Sequence, residues 1–215
     1  MADRWVSFDC YGTLIDWEGG IADALLPLLP QPVDRDALAK RYIEVEAGIE
    51  GDRYVSYREI LDRAGRALLR EHGVEGRSPL PASLPSWRPF PEVPAALREL
   101  RSRGYKLAIL SNVDRDLLDH SIANLGVAPD LAVTAQDCGS YKPAPGHWQT
   151  FLGEARVTPA EVVHTGASQY HDMRPAAALG FRTVFVDRHG EELTTAPTRT
   201  IPDLSTLPET IAELG

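Results

Sequence analysis

Five short apolar runs punctuate the chain: Trp5–Phe8, Lys106–Leu110, Leu131–Thr134, Val162–His164 and Thr183–Val186. Each is brief and bounded by turn-forming or polar residues, which predicts buried β-strands. Between the later runs, helical spacing recurs over Pro94–Arg103, Arg115–Leu125, Pro145–Ala155 and Arg174–Leu179. Gly104, Gly126 and Gly180 follow three of these segments, where left-handed C-cap residues sit. Strand and helix alternating at this spacing predict right-handed βαβ units and a parallel sheet covered on both faces. The expected fold is therefore α/β, a Rossmann-like doubly wound parallel sheet.

The stretch from Asp16 to Trp87 breaks the rhythm and reads as helices alone. Asp34 is placed to cap a helix whose Leu38, Tyr42, Val45 and Ile49 share one face, with Arg41 at its edge. A second helix is predicted from Ser56 to Glu71. Such a block, inserted after the first strand, predicts a cap over the sheet's C-terminal edge, where open α/β sheets bind ligands. The expected division is a core of residues 1–15 and 88–215 and a helical cap of residues 16–87. Pro30–Val33, Gly76–Pro91 and Thr194–Pro202 read as loops, and Gly19-Gly20 as a hinge or simple turn.

At 215 residues, 43% hydrophobic and 25% charged, the chain can build a sizeable core. A net charge of −9 disfavours nucleic-acid and membrane-surface partners, though a few local cations can still hold a small anion. Two cysteines without a CxxC pair fit a reducing compartment, and no run approaches the roughly 18 apolar residues of a membrane span. A cytoplasmic setting is expected. The six histidines form no metal-like spacing.

The chemistry lies at the strand ends. Asp9-Cys10-Tyr11-Gly12-Thr13 comes directly after the first strand, and Ser111-Asn112 after the second. Lys142-Pro143 lies beyond the third, and Gly166-Ala167-Ser168 with Asp172 beyond the fourth. Taken singly, Asp9 could cap a turn and Ser111-Asn112 could cap the helix at Arg115. Four strands delivering polar groups to one edge instead predict a catalytic centre. Strand alternation turns Cys10 away from it, and Trp148 and Tyr57 read as packing residues.

FDCYGTLID, LSN, YKP and GASQYHD, in that order, resemble the four motifs of the haloacid dehalogenase superfamily, over essentially the whole chain. Most members are magnesium-dependent phosphatases whose first motif is Asp-x-Asp. Tyr11 replaces the second aspartate here, and Ala167 stands where a Gly-Asp pair is common. The pattern is similar instead to the (S)-2-haloacid dehalogenase branch, which implies hydrolysis without metal or cofactor. That resemblance implies Asp9 as nucleophile, Thr13 holding its loop and carboxylate, and Lys142 balancing its charge. Arg41 and Asn112 would receive halide. Ser111 would bind the substrate carboxylate, with Tyr11 and Ser168 as further substrate contacts. Asp172 would orient Lys142 or activate water. Trp148 stands where the branch often has tyrosine, and Gln169 where it has asparagine.

The expected partner is a small anionic, 2-haloalkanoate-like substrate, and a homodimer is the assembly seen among such relatives. A magnesium-dependent small-molecule phosphatase and a hydrolase of another activated carbon centre are the alternative enzymes. A cap-bearing scaffold that binds a partner or small anion is the alternative without turnover.

Overall fold

The computed structural model describes residues 4–49 and 54–214. Six parallel strands form one sheet in the order β3-β2-β1-β4-β5-β6. They are β1 (Arg4–Phe8), β2 (Tyr105–Ser111), β3 (Leu131–Thr134), β4 (Val162–Gly166), β5 (Arg182–Val186) and β6 (Arg199–Ile201). The strand order reverses direction between β1 and β4, so their C-terminal ends flank the crevice where such sheets bind ligands.

Alternation along the strands divides the core. Val6, Phe8, Leu107 and Ile109 join one cluster with cap and core helices, while Trp5, Ala108 and Leu110 face Trp148 and Phe151 on the other side. Cys10 and Trp148 are fully buried, as their positions predict.

The helices are α1 (Trp17–Leu25), α2 (Arg35–Ile49), α3 (Tyr57–Glu71), α4 (Leu80–Ser83), α5 (Val93–Ser102), α6 (Arg115–Leu125), α7 (Ala135–Cys138), α8 (Gly146–Ala155), α9 (Arg174–Ala178) and α10 (Leu207–Leu214). Asp34 Oδ1 accepts from Ala37 N, and Ser56 Oγ from Glu59 N, so the two predicted cap helices start as expected. Gly104, Gly126 and Gly180 take positive φ after α5, α6 and α9. No helix among the described residues is long and apolar enough to cross a membrane.

The structure corrects the reading at three places; the first is Gly76–Pro91, read as a loop, which holds α4 (Leu80–Ser83). Gly19 and Gly20 are neither hinge nor turn but lie within α1. A Cβ on Gly19 would stand 2.4 Å from Asp16 Oδ2, and one on Gly20 2.4 Å from the Trp87 ring, so close packing demands glycine there. The run Thr194–Pro202 contains β6, whose three residues are too few to show a period in sequence. Val184, Phe185 and Val186 of β5 give it its register.

Candidate active site

Asp9 leaves β1 with its backbone N–H still bonded to Thr165 O of β4, at 3.0 Å. This tie sets the carboxylate at the seam between the two strands. Lys142 Nζ donates to Asp9 Oδ1 and to Asp172 Oδ1, 2.7 Å in each case. Thr13 Oγ1 donates to Asp9 Oδ2 at 2.8 Å and accepts from Ala167 N at 2.9 Å. One hydroxyl thus fixes the nucleophile candidate to the loop after β4. Asp172 and Lys142 are buried almost completely, and Asp9 only slightly less.

Burial pushes the Asp9 carboxyl above its ordinary value, the Asp172 charge adds to the rise, and Lys142 and Thr13 pull it back. Burial also acts upward on Asp172, but Lys142 and His164 outweigh it and hold that carboxyl well below the usual range. For Lys142, burial favours the neutral amine, yet Asp172 and Asp9 overcome it and raise the ammonium above the ordinary lysine value. The resting site is one shared cation between two carboxylates, of which Asp172 is the more firmly ionised.

Gly166 makes room for this arrangement. A Cβ there would lie 2.7 Å from Asp172 Cβ and 2.9 Å from its Oδ2. A magnesium ion would find few donors here: Asp9 and Asp172 each turn Oδ1 to the Lys142 ammonium, Ala167 offers no carboxylate, and Asp172 Oδ2 is the one carboxylate oxygen of the pair without a hydrogen-bond partner among the described residues. Among the described residues, no group of three or more His, Cys, Asp or Glu side chains converges as metal ligands would.

The remaining predicted residues divide. Ser111 Oγ is buried and makes no hydrogen bond among the described residues. Asn112 is used to tie loops together: Lys142 N donates to its Oδ1 at 2.7 Å, and its Nδ2 donates to Lys142 O at 3.2 Å. Ser168 is turned to local work, accepting from His171 N at 3.0 Å as the cap of the turn before α9. Tyr11 packs its ring edge against Trp87 and engages Ser121 Oγ through its hydroxyl at 2.7 Å. Tyr57 joins Glu46 through its hydroxyl at 2.8 Å rather than serving as packing alone.

Arg41 is the clearest departure from expectation. Its guanidinium donates to Glu71 on α3 and Glu44 on its own helix, and its side chain is 48% exposed. Helix α2 turns Leu38 and Tyr42 inward, and Arg41, one residue from Tyr42, is rotated about 100° away from it. The cap arginine therefore stands outside the cluster in this structure.

Three residues that the sequence did not single out for the site support it. Arg188 donates to Gly12 O at 3.2 Å and Thr13 O at 2.8 Å, pairs with Glu92 and stacks on Phe90, bracing the loop after Asp9. His147 donates from Nε2 to Ser111 O at 3.0 Å; burial holds it neutral, with a pKa lowered to about 4. His164, on β4, sits between Ser7 Oγ at 2.9 Å and Asp172 Oδ1 at 3.5 Å. No motif marks them, because each acts on a backbone or side chain distant in sequence. An open pocket of about 320 Å³ is lined by Gly12, Phe90 and Arg188 of this brace, and by none of Asp9, Thr13, Lys142 and Asp172.

A carboxylate flanked by a lysine and a hydroxyl at the β1–β4 seam is equipped for nucleophilic displacement. The chain is 28% identical to (S)-2-haloacid dehalogenase 1 of Pseudomonas sp. (strain CBS-3), over 96% of each chain. It is also 28% identical to (S)-2-haloacid dehalogenase 4A of Burkholderia cepacia, over 85% of this chain and 82% of that protein. Its fold matches L-2-haloacid dehalogenase from Xanthobacter autotrophicus with a TM-score of 0.88 at 23% identity, covering 99% of this chain and 100% of the other. That enzyme has also been solved with chloropropionic acid covalently bound. The profile of the haloacid dehalogenase-like hydrolases matches residues 4–180, and with strand order, motif order and site geometry in accord, the chain belongs to that family.

Proposed function

We propose that the protein displaces halide from a short 2-haloalkanoic acid through an ester on Asp9, giving a 2-hydroxy acid. One observation carries the choice of leaving group. Tyr11 occupies the second position of the first motif, and its hydroxyl is engaged with Ser121 rather than held ready as an acid. A leaving group that departs as a stable anion needs no such acid, and halide is one.

In this reading an Asp9 oxygen attacks the carbon bearing the halogen. The carbon–oxygen bond forms as the carbon–halogen bond breaks, and halide takes the electron pair. Water then adds to Asp9 Cγ and expels the 2-hydroxy acid, with net release of one halide and one proton. Lys142 and Thr13 hold the carboxylate in line, which lowers the entropic part of the barrier. Asp172 holds Lys142. The free Ser111 hydroxyl receives the substrate carboxylate. Asn112 keeps one amide hydrogen beyond its bond to Lys142 O for the departing halide. Relatives that are (S)-2-haloacid dehalogenases along most of their length support this substrate class. The same reading places the reaction at the seam between a core of residues 1–15 and 88–215 and a cap of residues 16–87, with a homodimer as the expected assembly.

The test measures chloride release from (S)-2-chloropropionate and phosphate release from p-nitrophenyl phosphate, each with and without EDTA. Chloride release insensitive to EDTA is expected. Metal-dependent phosphate release without chloride release would overturn the proposal. Single turnover in heavy-oxygen water should place label in the Asp9 carboxylate, whereas labelled product with unlabelled Asp9 rules out the ester.

A further inference from the structure

Asp114 stands just before α6, where an aspartate ordinarily caps its own helix. It makes no such bond; Gln136 Oε1 accepts from Arg115 N instead. The Asp114 carboxylate, 5% exposed, is directed into the cap. It accepts from Tyr57 N at 3.1 Å, Arg58 N at 2.9 Å and the Tyr54 hydroxyl at 3.0 Å.

The two amides belong to the first turn of α3. A helix start leaves its first four N–H groups without partners inside the helix. Within α3's own cap, Ser56 serves Glu59 N through its hydroxyl and carbonyl and Ile60 N through its carbonyl. The other two first-turn amides are served from the core, by Asp114. A carboxylate at this end also meets the favourable pole of the helix dipole.

A second tie lies alongside. The Tyr141 hydroxyl donates to Val55 O at 2.6 Å, and its ring lies 5.4 Å from that of Tyr54. Both ties start beside site residues: Asp114 is two residues beyond Asn112, and Tyr141 immediately precedes Lys142. Asn112 and Lys142 are themselves joined by two hydrogen bonds, and Lys142 grips Asp9.

We propose that Asp114 is a positioning residue that locks the start of α3 onto the loops of Ser111, Asn112 and Lys142, so that cap placement and the geometry of the Asp9–Lys142 pair are set together. For turnover it rests on the dehalogenase reading; for structure it stands alone.

The test compares Asp114→Ala, Asp114→Asn and the exposed α6 variant Asp119→Ala with wild type. Hydrogen exchange at single amides and chloride release from (S)-2-chloropropionate are followed on folded protein. In Asp114→Ala, exchange should quicken at Tyr57, at Arg58 and at the Lys142 amide that Asn112 Oδ1 holds. Its kcat should fall about 10- to 100-fold with a smaller change in KM, as expected when reacting groups are misplaced by about 1 Å. Asp114→Asn, which keeps one accepting oxygen, should fall between, and Asp119→Ala should stay within about twofold. Faster exchange at Tyr57 and Arg58 with the Lys142 amide and kcat unchanged overturns the proposal. Should Asp114→Ala not fold, Asp114→Asn carries the test: faster exchange at Tyr57 and Arg58 with an unchanged Lys142 amide and kcat overturns the proposal equally. Absence of chloride release by wild type would defeat the dehalogenase reading while the exchange comparison still decides the lock.

Discussion

Replacing Lys142 with methionine removes the ammonium that Asp9 and Asp172 share while keeping most of the volume of its stem. Nζ lies 2.7 Å from an oxygen of each, and the three side chains are 1%, 12% and 0% exposed respectively for Lys142, Asp9 and Asp172. Two carboxylates are then left in a site that water does not reach freely. Breaking a buried ion pair from one side costs about 3–5 kcal/mol. The variant can recover part of that by binding a proton, since like charges sharing a site raise one carboxyl strongly. A group whose folded pKa is raised is more stable in the folded protein at lower pH. The variant should therefore gain stability between pH 7.5 and 5.5. In wild type the Asp172 carboxyl is depressed, so its contribution is present at both values and is lost only as pH falls below the ordinary carboxylate value of 3.8. Urea unfolding at both pH values measures this, with stability read from the midpoint at constant slope. Lys142→Met combined with Asp172→Asn should restore at least about 2 kcal/mol, because a single carboxylate held by Thr13 remains. Activity of Lys142→Met at pH 7.5 should fall at least about 10³-fold, matching a loss of about 4 kcal/mol. Equal stability of the single and double variants, with no gain on acidification, would refute the shared-cation account.

The same geometry has other consequences. Thr13→Val deprives Asp9 Oδ2 of its donor and Ala167 N of its acceptor; it should cost about 1–3 kcal/mol by chemical unfolding and lower kcat about 10-fold or more. Arg41→Ala should leave kcat/KM and the thermal midpoint close to wild type, because Arg41 holds only Glu71 and Glu44 on the surface; a large loss of turnover would return it to the site. The profile of kcat/KM should lose activity on the acid side through an apparent pKa above 3.8, since Asp9 must be ionised and burial raises it. No basic limb from Lys142 should appear below 10.5, as its neighbours raise it further.

The strand runs, the predicted core helices and the order of the four motifs could all be read along the chain. Burial writes a local pattern: apolar runs at strand length, helical spacing between them, and glycines at the C-caps. The convergence of Asp9, Thr13, Lys142 and Asp172 was equally legible, since parallel strands must deliver their C-terminal ends to one edge. Other contacts were decided only by tertiary packing. Periodicity showed an inward face on α2, but the neighbouring helix determined that Arg41 meets Glu71 instead of standing where it could receive halide. Asn112, Ser168 and Tyr11 carry groups suited to a ligand, yet Lys142, His171 and Ser121 claim part or all of that capacity. Arg188 reaches the loop after Asp9 from 175 residues away, and Asp114 reaches α3 from 56 and 57 residues away, separations at which spacing along the chain carries no geometric information. A linear sequence specifies which groups can donate, accept or carry charge; the packed structure selects their partners, because a hydrogen bond depends on position within a few tenths of an ångström.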